Sequence, residues 1–245
     1  MRGYILKIAY KGTNYCGWQV QPQKPTVQAT LQAACEEVFG ASVEVTGCSR
    51  TDSGVHANGY VATVRGDIPE IPTDSLPLAI NTKLPEDISV LSADIAPEGF
   101  HPRYDAIGKE YIYVIHNSRI RDPFLADVAW LFPRHIDVDK ANELCKKFIG
   151  KQDFGAFMAA GSKITDTVRE IRYFSAERVG DKIVFTVAAD GFLYNMVRIM
   201  VGTVAQMASG TELMPIERII SLRDRANAGI TAPASGLTLN RVFYR

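Results

Sequence analysis

From residue 4 to residue 10 apolar side chains recur on every second position, so Leu6, Ile8 and Tyr10 share one face and predict a half-buried strand. The period then changes. Over residues 26–39, Val27, Leu31, Ala34 and Val38 form the stripe of an amphipathic helix. Thr26 can accept from the free N–H groups of the first turn, and Gly40 stands where a left-handed cap belongs. Residues 42–45 and 59–65 return to strand-like alternation with a polar loop between them. Residues 75–81 predict a short helix despite Pro77, and 89–95 a further strand. The order is β-α-β-β-α-β.

The second half approximately repeats that order. Residues 109–115 predict a strand and 138–149 a helix, with Asp137 near its cap. Residues 168–177 and Lys182–Ala189 alternate as an antiparallel pair across Val179-Gly180-Asp181. Residues 193–209 form an apolar helix, 215–227 an amphipathic one, and 237–244 a closing strand. The expected architecture is α+β: two tandem ferredoxin-like or RRM-like β-α-β-β-α-β units sharing one broad, mostly antiparallel sheet. The acidic, proline-containing stretch 96–103 is the expected join. It divides an N-terminal subdomain, 1–98, from a C-terminal one, 99–245.

With 245 residues, 47% hydrophobic and 22% charged, the chain can bury a sizeable core. Its formal net charge is zero, which gives no hint of a nucleic-acid partner. The distribution does more. Residues 66–98 hold seven acids (Asp67, Glu70, Asp74, Glu86, Asp87, Asp94, Glu98) against one base, Lys83. That segment is at −6 and the remainder at +6, which fits either a face that can meet phosphates in a neutral molecule or acidic loops on one side and nothing more.

Cys16, Cys35, Cys48 and Cys145 are widely spaced, with no C-x-x-C pair. That spacing speaks against a disulfide framework or zinc site and for reduced thiols in the cytoplasm. His101, His116 and His135 lack metal-ligand spacing, so no metal site is expected. The first ten residues lack a signal-peptide pattern, and the apolar run 193–208 contains Asn195, Arg198 and Gln206. It is also shorter than the roughly 20 residues a membrane span needs, so no membrane partner is expected.

The loop Cys48-Ser49-Arg50-Thr51-Asp52-Ser53-Gly54-Val55-His56-Ala57 carries the candidate chemistry. It lies between two strands, where a rigid sheet can hold a functional loop. Its bland reading is a turn, since Asp caps its own turn and Gly accepts positive φ. If the loop begins extended, Arg50 and Asp52 project to the same side, and the guanidinium keeps the carboxylate ionised, as a nucleophile requires.

Arg50-Thr51-Asp52-Ser53-Gly54-Val55-His56-Ala57 resembles the R-T-D-x-G-V-H-A signature of the TruA family of tRNA pseudouridine synthases. Asn81-Thr82-Lys83-Leu84-Pro85-Glu86-Asp87-Ile88 is similar to that family's N-x-x-L-P-x-D-I segment. Phe100-His101-Pro102-Arg103-Tyr104-Asp105-Ala106, followed by Lys109-Glu110-Tyr111-Ile112-Tyr113, resembles its F-x-A/P-R-x-x-A…K-x-Y-x-Y segment. Gly150 to Phe157, Thr167 to Ile171, Gly191 to Arg198 and Thr231 to Leu237 follow in the family's order. The resemblance covers essentially the whole chain; Ser49, where relatives often carry glycine, departs from it.

The resemblance implies an isomerase that breaks the bond from uracil N1 to the ribose, rotates the base and rejoins it through C5. No redox change or group transfer occurs, so no cofactor is implied. Asp52 falls on the family nucleophile, and Arg50 on the arginine that opens the stem and holds the flipped-out nucleotide. Tyr111 falls on the tyrosine that packs against the target base, a task aromatic rings perform. Arg198 matches the arginine that pairs with the catalytic aspartate, against the bland reading of a guanidinium snorkelling from an apolar helix. His56 is expected to order the loop through a hydrogen bond. Arg103, Lys109, Arg119, Arg121, Arg169 and Arg172 are candidates for phosphate contacts, each alone also an ordinary solvated charge. The implied substrate is uridine at positions 38, 39 and 40 of the tRNA anticodon stem-loop, bound by a cytoplasmic homodimer. The same chemistry on other tRNA or RNA uridines is the alternative.

Two readings from other classes compete. Asp52-Ser53-Gly54 fits the D-S/T-G of aspartic proteases; a second copy is absent from the chain, though a dimer could supply one, and a nearby cation favours the inactive, doubly ionised pair. A non-catalytic RNA-binding module would share the β-α-β-β-α-β order, but the strands carry no convincing RNP aromatic pattern.

Overall fold

The computed structural model describes residues 2–162 and 164–245. Two compact units are present: Met1–Ile107 together with Thr238–Arg245, and Gly108–Leu237. The chain is an α+β protein with ten strands and five α-helices among the described residues, the strands paired mostly antiparallel.

In the first unit β1 (Arg2–Tyr10) pairs antiparallel with both β3 (His56–Gly66) and β4 (Ile88–Ile95). The far edge of β3 is divided. β2 (Glu44–Gly47) occupies it antiparallel up to Gly47↔Ala62, and β10 (Leu237–Phe243) takes it parallel at Thr238↔His56 and Leu239↔Ala57. The loop of residues 48–55 leaves the sheet between these two pairings.

Helices α1 (Val27–Phe39) and α2 (Leu76–Asn81) complete this unit. Thr26 caps α1, its side chain accepting from Ala29 N, and Gly40 closes it at φ 64°. Tyr4, Leu6, Ile8 and Tyr10 are buried, as the alternation predicts, and Val27, Leu31, Ala34 and Cys35 are buried on the helix. Val38, placed on the same stripe by the sequence, is only half-buried. Burial pushes the Cys35 thiol up to about 12, so it behaves as an inert apolar group.

In the second unit β5 (Gly108–His116), β9 (Lys182–Ala189), β8 (Val168–Val179) and β7 (Gly150–Asp153) pair antiparallel in that spatial order, and β6 (Trp130–Leu131) lies parallel to β5. β8 and β9 turn through Gly180-Asp181 as expected. Helices α3 (Val138–Lys146), α4 (Met196–Ala208) and α5 (Ile216–Leu222) complete it. Its core is an aromatic chain: Phe148 meets Phe157 at 5.0 Å and Phe174 at 5.7 Å, and Phe174 meets Phe185 at 6.0 Å. No described helix is long and apolar enough to cross a membrane.

Several boundaries differ from the sequence reading. The second predicted strand begins at Glu44, later than residue 42, and β3 extends back to His56. Helix α4 begins at Met196 rather than at 193, because Asn195 sits at φ 59°, outside helical space. The helix expected over 215–227 breaks after Leu222, where Arg223 adopts φ 56°. β6 and β7 were not foreseen. The units divide between Ile107 and Gly108, where the sequence suggests the stretch 96–103, and Thr238–Arg245 go with the first unit. Ile107 N donates to Phe243 O at 2.8 Å, and Tyr244 donates its hydroxyl to Pro102 O at 2.6 Å. These bonds tie the stretch 100–107 to the closing strand.

Candidate active site

The loop after β2 begins in the ladder, with Cys48 N donating to Val61 O at 2.9 Å, and then departs from it. Thr51 is drawn inward: its hydroxyl bonds Tyr10 Oη at 2.8 Å, and its carbonyl accepts from Trp18 N at 3.1 Å. Residues 52–55 close a turn, Val55 N to Asp52 O at 3.2 Å, with Gly54 at φ 78°. Asp52, at the head of that turn, is half-buried, and Ser53 is exposed. Ser53 donates to Tyr15 O at 3.1 Å.

Under the loop lies a buried aromatic cluster. Trp18 stacks on Tyr60 at 4.1 Å, and Tyr10 packs against Tyr60 at 5.7 Å. Tyr60 donates its hydroxyl to Ser49 O. His56 takes the loop-ordering role expected of it, accepting from Gly12 N through Nδ1 at 3.0 Å.

The clamp on this loop is the segment 11–18, which sequence reasoning missed. A β-carbon on Gly12 would overlap the Val55 carbonyl oxygen, and one on Gly17 would overlap that of Thr51. Gly17 also sits at φ 85°. The two glycines, five residues apart in Gly12-Thr13-Asn14-Tyr15-Cys16-Gly17, were the available signal. Asp87 holds the segment from below: its carboxylate accepts from Tyr15 Oη at 2.6 Å and Asn14 Nδ2 at 3.0 Å, and its carbonyl from Lys11 N at 2.8 Å. Asn81 exchanges bonds of 3.0 and 2.7 Å with Val90 O and N, joining α2 to β4. The segment from Asn81 to Ile88 thus acts as a buttress.

Arg50 does not take the place expected of it. It is exposed and makes no hydrogen bond or ion pair among the described residues, so the ion pair with Asp52 does not form. The strand ends at Gly47 and Thr51 is pulled inward, so alternation no longer governs these positions. Arg50 instead lines a groove of about 300 Å³ with Gln19, His101, Arg103 and Tyr104.

In the second unit Tyr111 lies on β5 opposite Val187. It is 8% exposed and meets Phe192 edge-on at 5.2 Å. Arg198 stands in the first turn of α4, half-buried. A cation there opposes the helix dipole, so its anchors matter. Nε donates to Ala232 O at 2.7 Å and Nη1 to Asn195 Oδ1 at 2.7 Å, which excludes a side chain snorkelling to solvent. Its charge opposes the rise that burial imposes on the Tyr113 phenol. Tyr113 itself donates to Pro233 O at 2.7 Å, so the segment from Thr231 to Leu237 serves to seat Arg198 and Tyr113.

Across its full 245 residues the chain is 42% identical to tRNA pseudouridine synthase A 2 of Clostridium perfringens (strain 13 / Type A), with all of both chains covered. The model of a family described as tRNA pseudouridine synthase matches residues 7–105 and 144–245. The chain belongs to the tRNA pseudouridine synthase family. Similar relatives include tRNA pseudouridine synthase A of Caldicellulosiruptor bescii (41%) and of Thermoanaerobacter sp. strain X514 (40%), again with all of both chains covered. A solved Cbf5-Nop10-Gar1 complex is similar at a TM-score of 0.40 and 14% identity, over 96% of this chain and 57% of that one. As a member of the pseudouridine synthase family the chain is an enzyme of the isomerase class.

No group of three or more His, Cys, Asp or Glu residues suited to a metal exists among the described residues. Of the basic residues weighed as phosphate contacts, Arg103 lines the groove beside Arg50. Arg119 lines a second groove, of about 780 Å³, with Arg134 and Arg178.

Proposed function

We propose that the protein isomerises uridine to pseudouridine in tRNA, at positions 38, 39 and 40 of the anticodon stem-loop, with Asp52 as nucleophile acting on a flipped-out nucleotide. The observation that carries the reading is the Asp52 turn, which offers a carboxylate on a loop pinned by Tyr10, Trp18, Tyr15 and Gly12. Preorganisation of this kind is what a nucleophile on a loop needs. The family's full-length relatives carry the word tRNA in their names.

The reaction balances without a cofactor. The C1′–N1 bond breaks, the base turns, C1′ bonds to C5, and the proton lost from C5 is matched by one gained at N1. Attack on the sugar, attack on the base and promotion of elimination all start from an ionised Asp52. Arg50, with no ion-pair partner among the described residues, holds the displaced nucleotide, and Tyr111 packs against the target base. Arg198 supplies the counter-charge to the carboxylate. These three roles, and action as a homodimer with tRNA across both subunits, rest on the family resemblance.

Purified protein, incubated with unmodified tRNA and no added cofactor or metal, tests the reading by site-resolved mapping of pseudouridine. Conversion at 38–40 is expected. Conversion only at other positions would overturn the substrate assignment, and no conversion would overturn the activity.

A further inference from the structure

We infer that the groove lined by Arg50, Arg103, Tyr104, His101 and Gln19 holds the single-stranded RNA flanking the isomerised uridine, a phosphate on the guanidinium groups and one base on the Tyr104 ring. This rests on the proposed tRNA reaction and names the surface that grips the substrate beside it.

The size comes first. About 300 Å³ is at the small end of ligand pockets, which run to roughly 1,000 Å³, and suits one nucleotide rather than a duplex. The position comes next, since Arg50 is two residues from Asp52.

Two cations are unspent. Neither Arg50 nor Arg103 makes an ion pair among the described residues, and the Arg103 guanidinium lies 5.9 Å over the Tyr104 ring. One carboxylate, Glu44, also lines the groove, leaving its arginine–carboxylate balance positive. None of the acids of residues 66–98 lines the groove, and β4, which carries Asp94, lies at the edge of the sheet opposite β2, whose residues line it.

Tyr104 is the most telling residue. It is 76% exposed, yet its ring is set in place. His101 Nδ1 accepts from the backbone N of Arg103 at 3.1 Å and of Tyr104 at 3.3 Å, and the His101 ring lies 4.2 Å from that of Tyr104. Asp105 fixes the turn by accepting from His101 N at 2.8 Å. An ordered, solvent-facing aromatic beside two arginines that make no ion pair among the described residues is the arrangement that single-stranded nucleic acid occupies: bases stack on the ring and phosphates meet the cations. Behind it Gln28 braces the floor, accepting from Gln19 Nε2 at 2.9 Å and donating to Val45 O at 2.8 Å.

The test measures tRNA affinity of the full chain and of Tyr104→Ala, Tyr104→Phe and Arg103→Ala across a salt series. Both side chains are exposed, so all variants should melt as wild type does. Tyr104→Ala should weaken binding about tenfold or more, and Tyr104→Phe should restore it. Arg103→Ala should lower the steepness of log K against log salt by about 0.7. Wild-type affinity in Tyr104→Ala together with an unchanged slope in Arg103→Ala would overturn the inference, even if the wild type makes pseudouridine. Weakened binding in a protein that makes none would leave the groove assigned and the proposed reaction refuted.

Discussion

Arg198 joins two demands that a single side chain rarely meets. It is a cation at the positive end of a helix, and it is half-buried; Asn195 Oδ1 and Ala232 O hold it there with two hydrogen bonds of 2.7 Å. Removing it leaves those acceptors short of a donor, which costs about 1–3 kcal/mol of stability. The larger effect should be catalytic. Arg198→Ala is predicted to lower kcat by about a hundredfold or more while still melting cooperatively, and Tyr111→Phe to impair kcat more than folding. Paired thermal melts and single-turnover assays decide; a collapsed transition in either variant would assign a structural role instead. At this scale the turn at Asp52 was legible in the sequence, since Val55 N closes it on Asp52 O, and placement was less so. Arg50 was expected beside Asp52 by strand alternation, but the strand had already ended at Gly47.

The loop after β2 owes its shape to an element that makes no regular structure beyond a short 3-10 turn at Gly12–Asn14. Gly12→Ala places a methyl group on the Val55 carbonyl oxygen, and the backbone cannot yield as a flexible side chain would. Overpacking of this kind costs about 1–3 kcal/mol, and here the strain falls on the Asp52 turn. The expected result is a lowered Tm with a disproportionate loss of turnover; wild-type activity in Gly12→Ala would show that the loop does not depend on this clamp. A second junction lies at Asp153, whose carboxyl is held below the usual carboxylate range, first by the Thr167 hydroxyl at 2.6 Å, then by Gly155 N and Arg223. A lowered folded pKa contributes stability that is present above the unfolded carboxylate pKa and is lost as pH falls through the folded value. Asp153→Asn should therefore flatten the acid limb of the stability profile and leave less difference from wild type at low pH than at neutral pH. An unchanged gap between the two proteins at all pH values would contradict it. The same contacts explain why the helix expected to reach Asn227 stops early: Arg223 turns left-handed and pairs with Asp153. β7 escaped the pattern because Lys-Gln-Asp carries no alternation to read, and β6 because two residues are too few for a period.

For the molecule as a whole, a zero formal charge conceals a segment at −6 and a remainder at +6. Six of the seven acids of residues 66–98 are exposed, and Asp87 is instead spent on the clamp. RNA binding should therefore respond to the basic surface rather than to the sum. A plot of log K against log salt is predicted to have a slope of about −1.4 or steeper, as two or more neutralised phosphates on single-stranded RNA require. Salt-independent binding would count against a phosphate-reading surface. The order of elements was legible from hydrophobic period and caps in the first half and, apart from β6 and β7, in the second. The assignment of Thr238–Arg245 to the first unit was not, because that pairing is between residues far apart in sequence, Thr238 with His56 and Leu239 with Ala57.

Asp52→Asn tests the central claim most directly. The substitution keeps the side chain's size and removes its capacity to ionise and attack. Assayed beside wild type on unmodified tRNA, the variant is predicted to bind with wild-type affinity and form no detectable pseudouridine. Substantial residual isomerisation at the same sites would contradict the assignment of Asp52 as the nucleophile.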